Sequence, residues 1–401
     1  MRSTIVGLDI GTTKTCAVVA TASSAGLDII GVGEAPCSGL RKGVITDLEE
    51  TVRSIEAATE KAERMAGVHI SHVYVGVTGE HVQSTNNRGV VAITGEDREV
   101  ARNDVRRVVE ASKLINVGND RQIIHTLPRH FTVDGHDGIT DPIGMSGARL
   151  EVDTHIITGG NTFITNVLKC VHRAGLEPAG IVFEPLASSA ATLLAEEKHV
   201  GVVLLDIGGG TTDLAVYSGG GALHTSTIPV GGNSLTNDIA LGLKTTFAEA
   251  EIIKRTIASA INEPSGDDFP VKTLDGRTTM TVSRVQLRAI VAPRLHEIFR
   301  MAKTQLATLP RDVMLAEVVI TGGGAHLRGI EQAASEFFGL PARIGVPTAV
   351  GGLTDAVKQP EFATAVGLVL FGPKSDGAIW HAGKSRGPLS GIAAWFGDLW
   401  N

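Results

Sequence analysis

Two stretches of the chain repeat one pattern of apolar and polar positions. In the first, an apolar run from Thr4 to Gly7 leads into Leu8-Asp9-Ile10-Gly11-Thr12-Thr13-Lys14-Thr15 and leaves through Cys16 to Ala20. In the second, Val202 to Leu205 leads into Asp206-Ile207-Gly208-Gly209-Gly210-Thr211-Thr212-Asp213 and leaves through Leu214 to Tyr217. Short β-branched runs on either side of a glycine turn predict a strand, a tight hairpin and a second strand. The two aspartates lie half the chain apart, so the pattern predicts two related halves.

Elsewhere the apolar spacing alternates between strand and helix periods. Residues 4–35 read as hairpin-linked strands. Residues 47–66 read as a helix with Asp47 as N-cap, Val52, Ile55, Ala58, Ala62 and Met65 on its apolar face, and Gly67 at its end. Val73–Val77 predicts a strand. From His81 to Gly159 the texture changes: a short strand at Val90–Ile93, a charged helix at Arg98–Leu114, strand pieces at Gln122–Leu127 and His130–Val133, then a Gly/Asp-rich loop over 134–147. This predicts a small inserted subdomain. Helices are expected at 162–174, after Glu184-Pro185-Leu186-Ala187, at 234–243, at 247–257 and over 283–307, with Pro293 kinking or splitting the last. Residues 263–276 read as a polar loop. A strand at Val318–Thr321 ends in Gly322-Gly323-Gly324, with a helix expected over 325–338. Residues 372–391, rich in Gly, Pro, Ser and Lys, read as a linker.

Composition narrows the classes. With 401 residues, 43% hydrophobic and 20% charged, the chain can bury a large core and divide into lobes. A net charge of −7 argues against a general nucleic-acid binder. Cys16, Cys37 and Cys170 lack metal-ligand spacing and read as reduced thiols. No signal-peptide pattern or spanning segment is expected.

The candidate chemistry sits at the hairpins. Amides of a glycine turn converge on an anion, and threonine hydroxyls add donors. Asp9 and Asp206, each closing a strand, are placed to hold Mg²⁺ through water or to orient an attacking water, and Lys14 to neutralise phosphate. Each loop returns into a strand, whereas Walker and dinucleotide loops open a helix. Gly322-Gly323-Gly324 reads either as a flat shelf for adenine or ribose or as a tight strand-to-helix turn.

Asp9-Ile10-Gly11-Thr12-Thr13, Glu184-Pro185-Leu186-Ala187, Asp206 to Asp213 and Gly322 to Gly324 occur in the order of the phosphate-1, connect-1, phosphate-2 and adenosine motifs of the actin/Hsp70/sugar-kinase superfamily. Within it the chain resembles the FtsA family of bacterial cell-division proteins. The narrowing residues are Lys42-Gly43-Val44-Ile45-Thr46-Asp47, Gly76-Val77-Thr78-Gly79, Asn87 to Ile93, Gly231-Gly232-Asn233 with Asn237 to Ala240, and Ala292-Pro293-Arg294-Leu295. The resemblance implies an α/β, actin-like fold of duplicated ribonuclease-H-like lobes, with ATP and Mg²⁺ in the cleft. It implies subdomain 1A from 1–82, 160–190 and 357–371, 1C from 83–159, 2A from 191–230 and 301–356, and 2B from 231–300. A linker at 372–390 and an amphipathic helix at 391–401 complete the expected division.

The same resemblance implies cofactor contacts at Asp9, Gly11, Thr12, Thr13, Lys14, Gly208, Gly209, Gly210, Thr211, Thr212, Gly232, Asn237, Glu251, Lys254 and Gly322 to Gly324. A helix-surface ion pair explains Glu251 and Lys254 equally well. Glu184 and Asp206 match water-positioning residues, though a carboxylate closing a strand can be structural, and at most weak ATPase activity is implied. Expected partners are the chain itself in filaments, later division proteins at 1C, and the C-terminal tail of the tubulin-like ring protein FtsZ at 2B. There Arg284, Arg288 and Arg294 either meet the acidic tail or form a solvated helix face. The implied place is the cytoplasmic face of the membrane at the septum, held peripherally.

Ile392, Trp395, Phe396, Leu399 and Trp400 fall on one face of a helix, with Ala393, Ala394, Gly397 and Asp398 opposite. Partial insertion of five large apolar side chains, worth ~1.5–3 kcal/mol each when fully buried, suits reversible membrane binding. Docking on the protein's own body is the alternative. The polar face carries no Lys or Arg, and basic help comes from Lys374, Lys384 and Arg386 in the linker. A pilus-associated PilM-like adaptor and a small-molecule kinase share the cleft, but neither reading calls for an aromatic tail.

Overall fold

The computed structural model describes residues 4–23, 26–95, 97–261 and 268–375. The amphipathic tail and most of the expected linker lie outside them.

The N-terminal half is built on β1 (Thr4–Ile10), β2 (Lys14–Ser23) and β3 (Gly26–Pro36), followed by the short pair β4 (Leu40–Arg41) and β5 (Val44–Ile45), then α1 (Leu48–Ala66) and β6 (His72–Val77). An insertion follows: β7 (Gln83–Ala92), α2 (Arg102–Ser112), β8 (Arg121–Val133), β9 (His136–Ile139) and β10 (Arg149–Gly160). The chain returns through α3 (Asn161–Arg173), β11 (Glu177–Phe183) and α4 (Glu184–Thr192). The second half comprises α5 (Ala195–Val200), β12 (Val202–Ile207), β13 (Thr212–Ser218), β14 (Gly221–Ile228), α6 (Gly232–Gly242), α7 (Phe247–Thr256), β15 (Phe269–Lys272), β16 (Thr279–Val282) and α8 (Arg284–Leu306). It closes with β17 (Glu317–Thr321), α9 (Ile330–Phe338), β18 (Ala342–Ile344), β19 (Gly351–Gly352) and α10 (Ala363–Ser375).

The two main sheets share one topology. In the first the order is β11-β6-β1-β2-β3-β19, and in the second β14-β13-β12-β17-β18. Each has an antiparallel hairpin at its centre, a third antiparallel strand on one side and parallel strands on the other, and the first sheet adds β19 parallel to the outer edge of β3. Every residue of β12 is buried, as expected for a strand covered on both faces. Helix α1 packs on β2 and β3, while α4 and α10 pack against each other on the first sheet. Asp47 caps α1 by accepting the Glu50 amide at 3.0 Å, and Gly67 closes it at φ 65°. Met65 departs from its expected burial: it lies in the last turn, 54% exposed.

In the insertion, β7, β10, β8 and β9 form an antiparallel sheet with α2 packed on it. Helix α2 is shorter than expected, because Val100 enters the core from the preceding loop, its amide bonded to the Met145 carbonyl. The two expected strand pieces are one strand, β8. Its register against β10 shifts where His130 pairs with Asp153 and Pro128 with Thr154, so Arg129 bulges out and Pro128 is tolerated. The central strand β10 has no counterpart among the sequence expectations, nor does β14.

Three further differences follow from local chemistry. Part of the expected polar loop at 263–276 forms β15, which pairs with β16. Helix α8 continues through Pro293 because Leu287, Val291, Leu295, Ile298 and Phe299 bury one face along both halves. The expected helix at 325–338 instead starts as a 3₁₀ turn over Gly323–His326, breaks at Gly329 (φ 73°) and resumes as α9. Helix α10, not anticipated, runs to Ser375, past the expected start of the linker.

Candidate functional site

The two hairpins close in the same way. The Gly11 amide donates to the Lys14 carbonyl at 3.0 Å, and at the equivalent position the Gly208 amide donates to the Thr211 carbonyl at 2.9 Å. Their tips abut. A Cβ on Gly209 would stand 2.5 Å from the Thr13 Cγ2, and one on Gly210 would stand 2.5 Å from the Thr12 Oγ1. Both glycines are therefore required by close approach rather than by backbone angle. The start of α6 seals the carbonyl side, where the Gly232 amide donates to Gly208 O at 2.9 Å and the Asn233 amide to Gly209 O at 2.8 Å.

Four carboxylates gather at the base of these hairpins: Asp9, Glu184, Asp206 and Asp213. Burial pushes the carboxyl of Asp9 up to about 7, with Asp206 adding repulsion and Lys14 opposing it. Glu184 is raised well above its ordinary value by burial and by Asp9, Asp213 and Asp206. Burial also raises Asp206, against hydroxyls of Ser188 and Thr364. Asp213 rises to about 7, again through burial first, with the Thr227 and Thr78 hydroxyls opposing. Glu184 opens α4, where the helix N-terminus favours an acidic side chain, and Gly76 makes room for it: a Cβ there would lie 3.1 Å from the Glu184 Oε1. Ser188 of α4 and Thr364 of α10 donate to Asp206 Oδ2, the latter at 3.0 Å. Thr78, just after β6, donates to Asp213 Oδ1 at 2.5 Å and Thr227 of β14 to the same oxygen at 2.7 Å. The second hairpin's aspartates are thus each held by one hydroxyl from the first half, Ser188 or Thr78, and one from the second, Thr364 or Thr227.

The cations are engaged. The Lys14 ammonium pairs with Glu34 and stands 4.3 Å over the Phe362 ring. Lys254 pairs with Glu251 at 2.7 Å, and donates to Thr236 Oγ1 at 2.8 Å and Gly232 O at 3.2 Å. Gly232, Glu251 and Lys254 therefore meet through Thr236, and the ion pair left open by the sequence is present. Asn237, the next residue on α6, is exposed. The three glycines after β17 divide their work. Gly322 (φ 79°) and Gly324 pack tightly on Asp206 and Ile207, whereas a Cβ on Gly323 would meet open space. Only Gly323 offers a bare ledge.

Sequence reasoning placed Asp213 within the motif without giving it a role, although its pairing with Asp206 across the hairpin was legible. It gave no site role to Ser188, Thr364, Thr78 or Thr227, since hydroxyls brought in from distant elements leave no local signal.

A second feature lies along α8. A cavity of about 680 Å³ is lined by Arg288, Ala292, Pro293, His296, Glu297 and Arg300 among others. A neighbouring one of about 420 Å³ shares Arg288 and His296 and reaches Phe337 and Glu336 on α9. Arg294 is engaged within the protein: it donates to Asp238 through two hydrogen bonds, at 2.6 and 3.0 Å, and pairs with Glu297. Arg284 opens α8.

Duplicated sheets with facing hairpins define the class, an actin-like protein. Solved structures of this fold match nearly the whole chain: the PilM-PilN type IV pilus biogenesis complex (TM-score 0.68, 19% identity, 93% of this chain and 99% of that one) and MreB5 of Spiroplasma citri bound to ADP (0.58, 16%, 93% and 97%). A second Spiroplasma citri structure, MreB 5 bound to AMPPNP, matches at TM-score 0.55 with 16% identity over 92% of this chain and 95% of that one. The model for cell division protein FtsA matches residues 203–367, and that for the SHS2 domain inserted in FtsA matches 79–158. Cell division protein FtsA of Pseudomonas aeruginosa is 41% identical over 93% of this chain and 90% of its own length. The Bacillus subtilis relative is 38% identical over 91% and 82%, and that of Escherichia coli K12 37% over 93% and 91%. The chain belongs to the FtsA family of cell division proteins.

Proposed function

We propose that this actin-like cell-division protein binds ATP with Mg²⁺ between its hairpins, polymerises on the cytoplasmic membrane at the septum and tethers the FtsZ ring there. The observation that carries the reading is the abutment of two equivalent glycine hairpins over four buried carboxylates. Paired backbone amides at the tips suit phosphates, and Asp9 and Asp206 suit a hydrated divalent cation, whose charge would offset the burial that raises both carboxyls and the repulsion that Asp206 adds at Asp9. Gly323 suits the nucleoside, with Lys254 and Glu251 beside it. ADP and AMPPNP in the MreB structures support a nucleotide in this fold. Glu184 and Asp213 are placed to orient water, and the resemblance implies slow turnover.

The groove along α8 suits an acidic peptide at Arg288 and Arg300, which makes it the site for the FtsZ tail; the part Arg294 plays is to brace α8 on α6. The division into 1A, 1C, 2A and 2B, with later division proteins meeting the inserted sheet, belongs to the same proposal. The tail at Ile392, Trp395, Phe396, Leu399 and Trp400 supplies the membrane contact. Among the described residues no helix is long and apolar enough to cross a membrane.

Vesicle co-sedimentation of the full chain and of a truncation after Ser375, with and without ATP and FtsZ, tests this. The full chain should pellet and bring FtsZ with it, more so with ATP, and the truncation should remain in solution. Equal pelleting of both chains would refute the membrane role. Full-chain binding that fails to bring FtsZ down would refute the tether. Arg288→Glu should release FtsZ while leaving the vesicle contact intact.

A further inference from the structure

Strands β4 and β5 pair through Leu40 with Ile45 and Arg41 with Val44, leaving Lys42-Gly43 as a two-residue tip. Both tip residues have positive φ, 52° and 77°. That is the type I′ hairpin, whose first position normally takes Asn, Asp or Gly because a Cβ there is crowded. A lysine held in this conformation points to a use for its side chain.

The backbone of the tip is fixed on two sides. A Cβ on Gly210 would lie 3.1 Å from the Lys42 amide nitrogen, beside its 2.5 Å approach to Thr12 Oγ1, so the tip rests on the seam where the two phosphate hairpins meet. A Cβ on Gly43 would lie 2.8 Å from the carbonyl oxygen of Thr78, the residue whose hydroxyl holds Asp213. Lys42 itself is exposed, and among the described residues its ammonium has no hydrogen-bond or ion-pair partner. Lys14 and Lys254, by contrast, are paired with Glu34 and Glu251. A polyphosphate entering beside four carboxylates brings more negative charge to an acidic site, and Lys42 stands at the hairpin tips with a flexible stem and an uncommitted charge.

We propose that Lys42 is the cation that meets the terminal phosphate of a bound nucleoside triphosphate and so distinguishes triphosphate from diphosphate. Gly322 and Gly324, on either side of the Gly323 ledge, lie against Ile207 at the base of the second hairpin, and Gly210 lies at its tip, so a nucleotide laid along the hairpin brings its last phosphate to Lys42. This rests on the nucleotide reading above.

The test is calorimetric titration of the full chain and its Lys42→Gly and Lys42→Arg variants with ATP and with ADP, each with Mg²⁺. Thermal melts without nucleotide accompany it. Glycine relaxes the positive φ, so Lys42→Gly should melt at or above the parent temperature. Its ATP affinity should fall roughly tenfold while ADP affinity stays within about twofold, and Lys42→Arg should recover most of the loss. An unchanged ATP-to-ADP ratio in a folded Lys42→Gly overturns the inference and leaves the nucleotide reading standing. Binding of neither nucleotide by the parent chain overturns both.

Discussion

Asp213 shows how a single side chain is tuned here. It is 3% exposed, receives hydroxyls from Thr78 and Thr227, and still has its carboxyl pushed up to about 7, because burial and the charges of Asp206 and Asp9 outweigh two hydrogen bonds. The consequence for stability has a definite sign. A carboxyl whose folded value lies above its unfolded one contributes stability below the unfolded value, near 4, and loses it as pH rises through 7. The nucleotide-free protein therefore bears a strain at neutral pH that Asp213→Asn removes, since the amide oxygen still accepts from both threonines. Its stability gain over the parent should be larger at pH 8 than at pH 5, by on the order of 2 kcal/mol. Urea unfolding at the two pH values reads this directly, and an equal gain at both would mean that Asp213 is ionised throughout. Nucleotide turnover should fall in the same variant, as expected where stability and activity oppose each other.

At the scale of elements, the contact of α10 with α4 carries the site, because Thr364 and Ser188 reach Asp206 from these two helices. Gly367 permits the close crossing: a Cβ there would stand 1.8 Å from the Ala187 carbonyl oxygen, backbone that cannot swing aside. Gly7 of β1 makes the same allowance, its Cβ position lying 2.6 Å from Ala365 O. Gly367→Ala should cost about 2–4 kcal/mol and weaken nucleotide binding with it, as seen by melting and titration of one preparation. Loss of stability without loss of affinity would show that the helices can part without moving Asp206. This helix was also the least legible element. It is apolar on every side, so it has no helical stripe, and Gly367, Gly372 and Pro373 read as loop punctuation. Strands β10 and β14 escaped because their chemistry-bearing residues face other elements. The hairpins, α1 and β12 were legible because caps, glycine turns and apolar runs are local signals. What the sequence could not give was the set of hydroxyls that the fold brings to Asp206 and Asp213.

On the scale of the whole molecule, the inserted sheet binds both halves together. Ser84 and Asn86 of β7 donate to the Thr225 and Leu223 carbonyls of β14, at 2.8 and 3.0 Å. His155 of β10 bridges Asn86 Oδ1 at 2.7 Å and Thr225 Oγ1 at 2.9 Å. On the other side His125 of β8 accepts the Phe183 amide at 3.0 Å, one residue before Glu184. The Asn86 amide oxygen makes Nδ1 the donor, and burial, which disfavours the charged ring, leaves Nε2 to accept from the Thr225 hydroxyl. Burial, with His224, Arg129 and His125 nearby, lowers His155 to about 3. With a folded value below the unfolded 6.5, its share of stability is whole above pH 6.5 and is lost as pH falls towards 3, at ~1.4 kcal/mol per pH unit. Asp9 and Asp213 act in the opposite sense between 4 and 7, so the parent's own pH profile conceals the effect, and comparison with a variant exposes it. His155→Gln should be less stable than the parent at pH 7.5 by about 1–3 kcal/mol, through lost buried hydrogen bonds. At pH 5 that deficit should shrink by about 2 kcal/mol, because only the parent must then exclude a proton from the site. Urea unfolding of both chains measures the shrinkage, and hydrogen exchange in β14 locates it. A deficit independent of pH would mean that His155 titrates in the native state as it does in the unfolded chain, whereas a deficit that grows at pH 5 would mean a protonated ring, the inserted sheet then holding the second half by charge rather than by neutral hydrogen bonds.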